Sequence, residues 1–167
     1  MTLESSGMKA ITFNRDAAIS GAIGGAVAIA SIMIAGKLMC RGCKRGITRL
    51  RIADPRSSGI VKYNGTAIIS GQVGIIDELA ISDITDQTRQ TLAKIDDLLA
   101  EAGTSKSRLI EARIWVKSVP EHFALMNEVW NAWVDPENKP ARFCVESPMA
   151  RPNILVEIQV VAACDSK

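Results

Sequence analysis

The pair Asn64-Gly65 constrains this chain most, because it sits between two short apolar runs, residues 59–63 and 66–72. A two-residue turn that matches the twist of its strands needs positive φ at both positions. Asn and Gly accept that conformation, so the stretch predicts a β-hairpin. Gly71 and Gly74 then bracket a loop.

The periodicity beyond the hairpin changes from two to about 3.6 and back. Residues 82–102 predict a helix, with Ser82 or Asp83 as its cap and Gly103 as its stop. Ile84, Leu92, Ile95, Leu98 and Leu99 recur at helical spacing, and Asp86, Arg89, Lys94, Asp97 and Glu101 fall on the other face. Residues 109–117 alternate, with Ile110, Ala112, Ile114 and Val116 on one face and Glu111, Arg113, Trp115 and Lys117 on the other. Pro120 opens a second helix to about residue 134, expected to turn Phe123, Met126, Trp130 and Trp133 or Val134 inward. Residues 142–147 and 154–162 read as two final strands. The order β-β-α-β-α-β-β predicts an α+β domain of two layers, one sheet with both helices on one face.

Charge divides the chain at the same place. The formal net charge is only +2, but residues 1–51 hold eight Lys/Arg against two Asp/Glu, and residues 52–167 hold 12 against 16. We therefore expect an N-terminal extension, residues 1–46, and a mildly acidic domain, residues 47–167. Residues 17–36 carry no charge, and Lys37, Arg41, Lys44, Arg45 and Arg49 follow. A helix of that length matches a hydrocarbon core, and the one-sided basic flank would keep the domain in the cytoplasm. The run is rich in weakly apolar Ala and Gly, with a small-xxx-small pair at Gly21 and Gly25. A membrane tether, a cleaved targeting peptide with an Ala28-Ile29-Ala30 site and an optional leader all fit it. Cys40 and Cys43 have no second pair and no nearby histidine, so two ordinary thiols in a basic linker are expected rather than zinc.

Familiar constellations are mostly missing from the sequence. His122 is its one histidine, which excludes multi-histidine metal sites and weakens a Ser-His or Cys-His nucleophile. Gly21 to Gly25 follows no predicted strand, so it is no dinucleotide fingerprint. Few aromatics on an acidic domain argue against a nucleic-acid groove. What remains is Pro140-Ala141-Arg142-Phe143-Cys144-Val145-Glu146, then Val156-Glu157-Ile158. A guanidinium at the start of a strand fits a carboxylate bidentately, and a carboxylate among Val and Ile can handle a proton or hold a water. Each has a plainer reading: an Arg at a strand end usually makes a surface ion pair, and a lone Glu on a strand usually faces water.

The chain resembles the reactive-intermediate deaminase (Rid) family over about residues 47–163. The resemblance rests on Ile69-Ser70-Gly71-Gln72-Val73, Gln87-Thr88-Arg89-Gln90-Thr91-Leu92, Ala100-Glu101-Ala102-Gly103, Asn127-Glu128-Val129-Trp130, Pro140 to Val145 and Val156-Glu157-Ile158. It implies a chorismate-mutase-like fold and a homotrimer whose active sites lie in the clefts between subunits. The implied reaction is hydrolysis of 2-enamino or 2-imino acids, such as 2-aminoacrylate, 2-iminopropanoate and 2-iminobutanoate, to 2-oxo acids and ammonia. In that reading Arg142 clamps the substrate carboxylate and Glu157 orients the attacking water. Cys144 lines the site with its backbone, Ser70 lies in the pocket wall, and Asn127 is close by. The resemblance implies no metal and no cofactor, and the acidic domain argues against a nucleic-acid partner. Where many members carry Gly-Pro-Tyr, this chain reads Asp54-Pro55-Arg56-Ser57-Ser58, so a pocket tyrosine is missing. Two other functions compete with deamination: a non-catalytic module that binds a small carboxylate in the same cleft, and RNA cleavage.

Overall fold

A computed structural model describes residues 46–165. The charge-free run 17–36 and the pair Cys40 and Cys43 lie outside them. Among the described residues no helix is long and apolar enough to cross a membrane.

The elements run β1 (Thr48–Leu50), β2 (Ile60–Tyr63), β3 (Thr66–Gln72), α1 (Ile84–Ala102), β4 (Leu109–Val116), α2 (Val119–Trp133), β5 (Ala141–Glu146) and β6 (Val156–Ala163). They build one six-stranded sheet in the order β1-β2-β3-β6-β4-β5. The hairpin turns at Asn64 and Gly65, with φ of 51° and 75°. Only β4 and β5 pair in parallel, joined by α2 as a crossover. The fold is therefore α+β, two layers, as the periodicity predicts. It carries one strand more than expected. β1 is three residues long and lies where the sequence shows only a basic flank.

One face of the sheet packs on the helices. Ile60, Ile69, Ala112, Ile114, Val116, Val156, Ile158 and Val160 meet Leu92, Ile95, Leu99, Met126 and Trp130 in one buried cluster. Asp83 caps α1, its carboxylate accepting from Asp86 N, and Gly103 ends it at φ 77°. Gln87 is fully buried on this helix. Its Nε2 donates to the carbonyls of Asn153 (2.9 Å), Ser82 (3.1 Å) and Leu79 (3.3 Å), and its Oε1 accepts from Leu155 N (2.9 Å). One side chain thus ties the loop before α1 to the loop before β6.

Three side chains depart from simple periodicity. A register shift between Leu109 and Glu111 turns Leu109 inward and leaves Ile110 exposed. Lys94, expected on the solvated face of α1, folds back instead, and its Nζ donates to the carbonyls of Val73 and Gly74. Burial pulls its pKa down. Phe123, expected inward, is exposed on α2.

Candidate functional site

The register decides which residues share a face. Arg142 pairs with Ala112 and Cys144 with Ile114, both in the core, so Arg142 and Cys144 point to the helix side. β5 is the last strand of the sheet, and α2 reaches it through Met126 and Asn127. Met126, Asn127 and Trp130 lie on one helical face and project over it.

The Arg142 guanidinium is held on three sides. Its Nη2 donates to Asn127 Oδ1 at 2.7 Å and contacts Met126 Sδ at 3.4 Å. Its Cζ stands 4.9 Å from the centre of the Trp130 ring. Its Nε is buried and has no hydrogen-bond partner. Among the described residues no carboxylate pairs with it. Burial pulls the Arg142 pKa down. Burial pushes the Cys144 thiol up, and the nearby Arg142 charge opposes that in part. A partly desolvated cation with spare donors and no counter-charge is a ready seat for a small anion.

Glu157 stands apart from this group, beside the Ser70-Gly71-Gln72 bulge. Glu157 pairs with Trp115, whose partner on β5 is Val145, so Glu157 faces the open side of the sheet. Its carboxylate lies against Gly71, where any Cβ would overlap Oε1. A bulge between Ile69 and Gln72 shapes that spot. Gln72 Nε2 closes the bulge, donating to Ser70 O (3.0 Å), Gly71 O (3.1 Å) and Ser70 Oγ (3.3 Å). Among the described residues the Glu157 carboxylate has no hydrogen-bond partner. The chain thus brings Arg142, Asn127 and Cys144 together, while Glu157 lies against Gly71, next to Ser70 in sequence. It does not bring the two groups together. They lie on opposite faces of the sheet, with two strand spacings, about 10 Å, between β5 and β6.

The segment that stands for the absent tyrosine is a self-contained ion pair. Arg56 N and Nη2 donate to the Asp54 carboxylate at 2.8 and 2.9 Å, and Arg56 draws the Asp54 pKa down to about 2. Among the described residues no three His, Cys, Asp or Glu side chains gather as a metal site requires. A groove of about 480 Å³ lies elsewhere, between the outer faces of α1 and α2, lined by Arg89, Asp96, Lys106, Glu128 and Trp133 among others. It contains none of the residues predicted for the site and no orphaned polar atom. Sequence reasoning did not assign Met126 and Trp130 to the site. Their spacing of one before and three after Asn127 was the available signal.

The family model described as Endoribonuclease L-PSP matches residues 47–164. The chain is 38% identical over 117 residues to a RutC family protein of Haemophilus ducreyi, covering 70% of this chain and 96% of that one. It is 36% identical over 118 residues to the RutC family protein YoaB of Escherichia coli, covering 70% and 99%. A crystal structure of a YjgF family member from Neisseria meningitidis superposes with a TM-score of 0.67 at 36% identity, covering 74% of this chain and 98% of that one. Over residues 47–164 the chain therefore belongs to the endoribonuclease L-PSP family, the group also called YjgF, RutC or Rid.

Proposed function

We propose that this protein hydrolyses reactive 2-enamino and 2-imino acids to 2-oxo acids and ammonia. The observation that carries the reading is the Arg142 guanidinium, half-buried, without a carboxylate partner among the described residues and with an orphaned Nε. Its free donors take the substrate carboxylate. The enamine tautomerises to the imine, and water, held by Glu157, adds to C2. The carbinolamine then collapses, the C–N bond breaks, and ammonia leaves with a proton from the added water. Imine hydrolysis proceeds unaided in water, so orientation and one positioned water suffice.

The same reading makes the working unit a homotrimer with sites between subunits. Its support is the placement of Arg142 and Glu157 on opposite faces of one chain, which a second copy can bridge by presenting its open sheet face. Ile68, Phe143 and Val145 are exposed on that face. The mildly acidic domain supports a small-molecule site over RNA cleavage, despite the description of the family model.

The test is to generate 2-aminoacrylate with a dehydratase and follow semicarbazide trapping. Wild type should suppress trapping, and Arg142→Ala should not. Equal suppression by both refutes the reading. Calorimetric 2-oxo acid binding without turnover would mark the protein instead as a carboxylate-binding module. Shared sites have their own test. Arg142→Ala and Glu157→Ala, each inactive, are unfolded together and refolded as mixed trimers. One site in about four then joins an intact Arg142 to an intact Glu157 of the neighbour, so about a quarter of wild-type activity returns. If each site lies within one subunit, none returns.

A further inference from the structure

We propose that Trp130 is a positioning residue for Arg142, fixing the guanidinium plane while leaving its donors free for the substrate. The inference rests on the carboxylate-clamp reading above and assigns a part that reading leaves open.

Arg142 stands on an edge strand, so one flank of its side chain has no neighbouring strand to confine it. A long side chain there would sample many rotamers unless something fixed the head group. Asn127 Oδ1 and Met126 Sδ both hold the same nitrogen, Nη2. The remaining restraint is the Trp130 ring, 4.9 Å from Cζ, itself only 4% exposed. The indole is anchored in turn. The Trp133 ring packs on it at 5.2 Å and 54°, and Trp133 Nε1 donates to Asp96 Oδ2 of α1 at 2.8 Å. Lys106 Nζ lies 5.5 Å from the centre of the Trp133 ring. A continuous set of contacts thus runs from α1 through two indoles to the guanidinium.

The choice of partner matters chemically. A carboxylate in place of the indole would also hold the arginine, but it would consume the N–H donors and cancel the charge. A π-face attracts the cation without accepting its in-plane hydrogen bonds. Nε is left buried and unpartnered, and Nη1 is left free among the described residues. Trp130 therefore orders the clamp and keeps it empty.

Trp130→Phe, Trp130→Leu and the control Trp133→Phe are compared with wild type in the full chain. KM and kcat come from trapping of 2-aminoacrylate, the Kd of 2-oxobutanoate from calorimetry, and folding from thermal melts. The expected order is Trp, Phe, Leu, with KM and Kd rising about fivefold for Phe and roughly 30-fold for Leu. In each folded variant kcat should stay within about threefold, because the reacting carbon is not touched. If Trp130→Leu does not fold, Trp130→Phe must raise Kd more than Trp133→Phe does. An unchanged Kd in a folded Trp130→Leu, or equal effects of the two Phe variants, overturns the role of Trp130. Arg142→Ala separates the levels. If it loses binding while Trp130→Leu keeps it, only the Trp130 role falls. If it keeps binding, the clamp reading itself falls, and this role with it.

Discussion

Replacing Gln87 by Leu should cost about 3–5 kcal/mol although the volume barely changes. The side chain is fully buried and makes four hydrogen bonds, none to another side chain. Leu would leave three carbonyls and the Leu155 N–H without their partner. Each buried unpaired group costs roughly 1–3 kcal/mol. The Ser82 and Asn153 carbonyls are only part-buried and can recover water, so the full sum is not reached. For a domain of this size each kcal/mol moves Tm by about 3–5 °C, so the melt should fall by roughly 10–20 °C. Differential scanning calorimetry on the full chain measures it. Gln87→Glu provides the sign. Its carboxylate can still accept from Leu155 N but cannot donate to three carbonyls, so burial raises its folded-state pKa above the unfolded value. The folded protein then binds more protons, and stability falls as pH rises from about 4 toward that folded pKa. Gln87→Glu should therefore melt higher at pH 5 than at pH 8 by comparison with wild type. A Gln87→Leu melt within about 2 °C of wild type would refute the account, since it would mean that the two loops hold without their common tie.

Gly71→Ala should reduce turnover roughly 100-fold, because a Cβ there would displace the Glu157 carboxylate; trapping kinetics beside a melt separate that loss from misfolding. Cys144 should alkylate slowly at neutral pH, with the rate rising only above the ordinary thiol range near about 8.5, as burial demands; peptide-resolved iodoacetamide labelling across pH reads it. Lys94→Met should cost about 1–2 kcal/mol by freeing the Val73 and Gly74 carbonyls, and urea titration should show it as a lower midpoint at unchanged slope.

The parts of this fold that the sequence makes legible are those where local chemistry and tertiary structure agree. Asn64-Gly65 demands a hairpin whatever surrounds it, and Asp83 and Gly103 bound α1 by capping chemistry alone. Legibility stops where a residue is defined by something distant. β1 is three residues with no alternation, and it exists only because β2 offers an edge. Lys94 has the spacing of a solvent residue, yet two loop carbonyls 20 and 21 positions earlier claim it. Ile110 has the right alternation, but a bulge reverses it. The candidate site follows the same rule. Arg142 and Glu157 stand out as charged residues on apolar strands, so their chemistry is readable one residue at a time. Which face each occupies is not, because it depends on pairing with Ala112 and Trp115 on a third strand. That placement has the larger consequence. A cation on the helix side and a carboxylate on the open side cannot converge on one three-carbon acid within a single chain. The proposed hydrolysis therefore requires either separate roles for the two residues or a second copy that carries the missing half.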